Sequence, residues 1–258
     1  MDLPLGWQTD LEVLRQGGSD ITEHGDHIVV RTPANPTYYW GNFVLVTDPA
    51  TVDEAARWLA EFERQFPEAE HRAIGLTAEP DRQIWLDQTL FLETADVLRS
   101  STPIEPTTLA PGYEVRRIAS AADWERSTAM RSASFTGQEE FEARVTASRI
   151  AMDAEAAHAP WFGAFAGEDL AAELGITVFD SGVARYRSVV THPDHRRRGL
   201  ARHLLAVAAA SARDHGAQEL VIIADGGSDA GRLYQRAGFE VDSAAYQVSR
   251  VPGVIPAD

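Results

Sequence analysis

Three consecutive arginines and a glycine, Arg196-Arg197-Arg198-Gly199, stand between a β-rich apolar run and an amphipathic stretch. The run closes as Val189-Val190-Thr191-His192-Pro193, and Leu200-Ala201 open the amphipathic stretch. A strand, a basic glycine loop and a helix N-terminus in that order meet the needs of a pyrophosphate. The first helix amides and the positive helix end face the anion. Glycine lets the backbone come close, and each guanidinium presents forked donors that match phosphate oxygens.

Other chemistries are excluded by residue type. The chain has no cysteine and, read along its rows, no lysine, so all 23 basic residues are arginine. Disulfides, thiolate nucleophiles and Cys-ligated zinc are ruled out. So are Schiff bases and a P-loop lysine. Neither His192 nor His195 has a third ligand nearby in sequence, so no metal site is expected.

The elements that position the loop can be read from pattern. Two hundred and fifty-eight residues suit one large or two modest domains. Ser100 to Gly112, with three prolines among small polar residues, reads as a linker. It separates an N-terminal domain, 1–99, from a C-terminal one, 113–258. After the linker we expect a strand over 113–118, then a helix from a cap at Ser120 or Asp123 towards Phe135. A second helix is expected over 139–158. Strands are expected next over 161–166, 170–179 and 183–191, separated by turns at Gly167-Glu168-Asp169 and Asp180-Ser181-Gly182.

A helix over 199–215 places Leu200, Leu204, Val207, Ala208 and Ser211 on one face, with Gly216 as its stop. Then come a buried strand over 220–224, a helix over 228–237 and a last strand near 244–248. This order describes a mixed α/β layer in which 189–224 is a crossover joining parallel strands.

The first hundred residues echo the second half. Val46-Thr47-Asp48-Pro49 aligns with Val190-Thr191-His192-Pro193, a helix over 52–66 with 199–215, and 73–76 with 220–223. Ile84-Trp85 falls against Leu233-Tyr234. The pattern reads as a degenerate duplication. Asp53-Glu54-Ala55 stands in the place of Arg197-Arg198-Gly199. Two acids at a helix start stabilise the helix but repel a pyrophosphate.

Arg196-x-x-Gly199-x-Ala201 after a Val-Val-Thr-His-Pro strand end resembles the acetyl-CoA pyrophosphate loop of the GNAT acyltransferase superfamily. Leu233-Tyr234-Gln235-Arg236-Ala237-Gly238-Phe239 resembles that family's Leu-Tyr-x-x-x-Gly-Phe turn. The resemblance covers 113–250 and implies the GNAT fold, with a smaller degenerate GNAT-like α/β domain before it. It implies a sheet splayed between its fourth and fifth strands, with acetyl-CoA in the gap. Backbone groups of Val189, Val190 and Thr191 would meet the pantetheine. Arg196, Arg197, Arg198, Gly199, Leu200 and Ala201 would meet the pyrophosphate, with at least one arginine facing solvent only. Tyr234 would be the general acid for the departing thiolate. Family members often carry a glutamate base on the strand before the loop. Here Val183 to Val190 has none, which leaves the base unassigned and Glu173 on the neighbouring strand as a candidate.

The expected activity is acetyl-CoA-dependent acyl transfer to a small-molecule or peptide amine by direct attack, since there is no cysteine for a thiol acyl-enzyme. The rival is a non-catalytic acyl-CoA-binding or protein-interaction module. A net charge of −16 argues against nucleic acid as a partner, including through Arg196 to Arg198. Nothing in the pattern reads as a membrane span or a secretion signal, so the cytoplasm is the default location. Asn35 to Phe43, dense in aromatics, reads as core, pocket wall or a homodimer surface.

Overall fold

The computed structural model describes residues 3–132 and 159–252. The expected helix over 139–158, and Phe135, lie outside the described residues. The chain divides into two compact units. The first holds the residues up to Ala95 together with Ser243 onwards, and the second is built between Asp96 and Asp242.

In the first unit, helix α1 (Leu5–Gln16) precedes a hairpin of β1 (Asp20–His24) and β2 (His27–Arg31). Strand β3 (Phe43–Val46), helix α2 (Ala55–Gln65) and strand β4 (Arg72–Leu76) form a parallel crossover, with register Val44↔Ile74 to Val46↔Leu76. Helix α3 (Arg82–Asp87) leads into β5 (Phe91–Ser100). The free edge of β4 is taken by the end of β11 (Glu240–Arg250), antiparallel from Tyr246↔Leu76 to Arg250↔Arg72. Trp58, Phe62, Trp85, Phe43 and Leu45 fill the core around these strands. The two acids stand just before α2, with Glu54 at its N-cap and making no side-chain capping bond. Asp53 turns away, and its Oδ1 accepts the amide of Asp81 at 2.7 Å.

The second unit opens with β6 (Glu114–Arg117) and α4 (Ala121–Ser132). Ser120 caps α4 by accepting the Asp123 amide while Asp123 accepts that of Ser120, a reciprocal pair. Strands β7 (Trp161–Ala166), β8 (Asp169–Val178) and β9 (Val183–Thr191) form an antiparallel meander. Helix α5 (Leu200–Asp214) crosses to β10 (Glu219–Asp225), parallel to β9. Helix α6 (Asp229–Arg236), capped by Ser228, precedes Gly238, whose φ of +100° turns the chain into β11. Helix α5 is buried on a wider face than one stripe. Leu205, Ala209 and Ala212 join Leu200, Leu204 and Ala208, because alanine lets the helix sit close on the sheet.

Segment 101–112 contains neither helix nor strand. It is pinned along α5 in the opposite direction. Arg213 donates to the carbonyls of Ser101 and Thr102, and Nδ1 of His203 lies 2.6 Å from that of Thr107. Ile104 is buried in the second core. Among the described residues no helix is long and apolar enough to cross a membrane.

Candidate functional site

Strands β9 and β10 pair for three residues only, Val183↔Glu219 to Arg185↔Val221. Strand β9 continues to Thr191 without that partner, while β10 runs on to Asp225. The backbone of Val190 and Thr191 therefore pairs with β8 on one side, and among the described residues no strand takes the other edge of Val189 to Thr191, which calls for an outside partner. Ser188, at φ +52°, marks the start of the open stretch. There Glu173↔Val190 and Gly175↔Arg187 leave an extra residue on β9, a bulge that turns the strand.

Beyond Thr191 a short turn, Pro193–His195, carries the chain into the arginine loop. Gly199 adopts the left-handed conformation, φ +75°, directly before α5, and no side chain caps the helix. Among the described residues nothing lies within 4 Å of where a Cβ on Gly199 would stand. Among the described residues no acceptor takes the first amides of α5, at the positive end of a fifteen-residue helix. Leu200 is buried and Ala201 half-buried, so they contribute backbone, and Leu200 also anchors the helix.

The three arginines do different things. Arg196 leans back so that its Nε meets the Thr191 carbonyl at 3.4 Å. Arg198 donates to the Tyr113 hydroxyl at 2.8 Å and to the Asp194 carbonyl at 3.4 Å. Arg197 is exposed and sits at φ +63°, an unusual conformation for a side chain with a Cβ.

Tyr234 lies on α6, 4% exposed, with its ring edge towards Phe239. Burial pushes its phenol up to about 12; the Arg185 charge opposes this and the Asp225 charge adds to it. The phenol therefore keeps its proton throughout the neutral range. Arg185, the last β9 residue paired with β10, stands at the fork of the two strands.

Glu173 is fully buried on β8 and opposite Val190 in register. Its carboxylate accepts from the Ser127 hydroxyl and lies 3.7 Å from Arg131 Nε. His192 and His195 sit in the turn before the loop. His192 accepts the Asp194 amide, and Nδ1 of His195 lies 2.7 Å from the Tyr113 hydroxyl. Sequence reasoning missed Tyr113. Its only signal was an aromatic residue just after a glycine at a strand start.

The corresponding part of the first unit does not fit such a ligand. Strands β3 and β4 stay paired to their last residues, Val46↔Leu76. The indole of Trp7 covers Gly75, and Trp85, which the sequence sets against Tyr234, donates to the Val52 carbonyl at 3.2 Å. Among the described residues no cluster suits a metal ion.

Residues 116–239, which include the strand fork, the arginine loop and Tyr234 but not Tyr113, match the model of the acetyltransferase (GNAT) family. The chain carries a GNAT domain. No curated protein matches its sequence. Among solved structures, a GCN5-related N-acetyltransferase from Kribbella flavida is similar with a TM-score of 0.68 at 16% identity, covering 98% of each chain. A conserved protein of unknown function from Staphylococcus epidermidis has a TM-score of 0.73 at 13% identity, covering 90% of this chain and 94% of that one. A tandem GNAT protein from the clavulanic acid biosynthesis pathway has a TM-score of 0.56 at 12% identity, covering 95% and 89%. At such identities these likenesses speak for the fold. The fold they speak for is mixed α/β, with parallel and antiparallel strands in its sheet.

Proposed function

We propose that the chain is an acetyl-CoA-dependent N-acetyltransferase with one cofactor site, in the second unit. The observation that carries this reading is the early end of β9–β10 pairing beside an uncapped α5 N-terminus and a buried, protonated Tyr234. Acetyl-CoA supplies an acyl group activated as a thioester. The open edge of Val189 to Thr191 would align the pantetheine, and the amides from Arg196 to Ala201 would hold the pyrophosphate. Arg197 or Arg198 would add charge, while Arg196 leans back on the Thr191 carbonyl.

In the reaction the acceptor nitrogen forms a bond to the acyl carbon and the carbon–sulfur bond breaks. Tyr234 donates its proton towards the sulfur as negative charge develops there. With a pKa near 12 against about 8.5 for a thiol, full transfer from the phenol is uphill. The proton shed by the attacking amine restores the balance. Strand β9 offers no carboxylate to take that proton, and Glu173 is the nearest in register.

The first unit repeats the strand–helix–strand–helix order without the opening, and we infer that it is a duplicated half that has lost the cofactor site. Calorimetry tests the proposal: one acetyl-CoA per chain is expected. Absence of binding by the intact chain would overturn it. An amine screen reading free CoA thiol then separates an enzyme from a binding module.

A further inference from the structure

Resting on that reading, we infer that Tyr113 and His195 are positioning residues for the cofactor, acting through Arg198. The Tyr113 hydroxyl stands between Arg198 Nη1 at 2.8 Å and His195 Nδ1 at 2.7 Å. A phenol has one proton, and a guanidinium can only donate. With Arg198 donating into the oxygen, the phenol proton is free for Nδ1 in the His195 tautomer that carries its hydrogen on Nε2. In that tautomer the network runs from Arg198 to Tyr113 to His195.

The surroundings hold this geometry. The Tyr113 and His195 rings meet edge-on, 5.7 Å apart at 87°, and His192 packs on the far side of His195 at 5.6 Å. Arg126 of α4, Asp169 of β8 and Asp194 of the turn line the same 430 Å3 cavity as His195. Tyr113 packs against the second core, and the segment before it is pinned to α5. The phenol is thus a rigid post. Arg198 immediately precedes Gly199, where a long, mobile guanidinium would otherwise sample many rotamers. Held at Nη1 by Tyr113 and at Nη2 by Asp194, it keeps its charge beside the amides of α5 and keeps the loop open. Preorganisation of this kind acts on affinity rather than on the chemical step.

The test measures acetyl-CoA affinity of the full chain by calorimetry, with thermal midpoints recorded alongside. Tyr113→Phe and His195→Leu should each weaken binding about tenfold, the size of one hydrogen bond to a charged group. His195→Asn, whose amide oxygen can replace Nδ1 as acceptor, should stay within about twofold of the parent. In an Arg198→Ala background, Tyr113→Phe should cost no more affinity, because the route to the ligand is already cut. Parental affinity in Tyr113→Phe, or fully additive losses with Arg198→Ala, would overturn the inference. Failure of the unaltered chain to bind acetyl-CoA would instead overturn the acetyltransferase reading.

Discussion

The indole N–H of Trp7 donates to the Leu76 carbonyl at 3.0 Å, which lays the ring across the backbone of Gly75. A Cβ on Gly75 would stand 2.4 Å from the ring edge. Both residues are buried, so neither the ring nor β4 can yield cheaply. We expect Gly75→Ala to lower stability by about 1–3 kcal/mol, read as a shifted urea midpoint at unchanged slope. Acetyl-CoA affinity should not change, since the proposed site lies in the second unit.

Tyr234→Phe keeps the ring and removes the proton. With chemistry rate-limiting, turnover should fall about 100-fold while cofactor affinity holds. Unchanged turnover would remove Tyr234 from the mechanism.

The same phenol makes stability depend on alkaline pH. Its folded value, about 12, lies above the ordinary 10. Between pH 10 and 12 the unfolded chain loses a proton that the folded chain keeps, so stability falls as pH rises through that window. Tyr186, also buried and raised, adds to the effect. Chemical denaturation at stepped pH should show a steep alkaline loss that is smaller in Tyr234→Phe.

On the acid side, Arg116 grips both oxygens of the buried Asp123, at 2.7 and 2.8 Å, and holds its carboxyl below the usual range. That stability is present above about pH 4 and lost as pH falls through the lowered value. Arg116→Ala should cost about 2–4 kcal/mol at neutral pH, since the carboxylate stays buried without its main partner. Its acid denaturation curve should be shallower than that of the parent.

Arg197 shows how a cofactor loop can trade stability for charge. At φ +63° a residue with a Cβ is strained by about 1 kcal/mol, and glycine is not. Arg197→Gly should raise the thermal midpoint and weaken acetyl-CoA several-fold. A variant that gains stability without losing affinity would show that Arg197 only faces solvent.

Much of the second unit was legible because its signals are local. Strands β7 and β9 begin and end where turn residues and β-branched runs place them, and helix α5 starts just after Gly199. What sequence could not show was long-range. No pattern announced that Tyr246 to Arg250 would pair with β4, because an antiparallel edge is chosen by geometry and not by neighbours in sequence. Nor did composition reveal that the Pro-rich 101–112 segment is pinned to α5, since its bonds run through backbone carbonyls that every residue has. The arginine loop was found by type and spacing. The division of labour among its arginines depends on the turn that folds Arg196 back onto Thr191 and on Tyr113, which only the fold brings near.

The early parting of β9 from β10 has a thermodynamic consequence. A sheet that leaves backbone groups unpaired along one strand has part of its cohesion still to be supplied from outside. Any molecule that fills the opening binds the folded chain and not the unfolded one. At a hundred times its Kd it adds about 2.7 kcal/mol to stability. The melting temperature then becomes a gauge of occupancy, and a panel of acyl-CoA thioesters can be ranked on it before any acceptor is known.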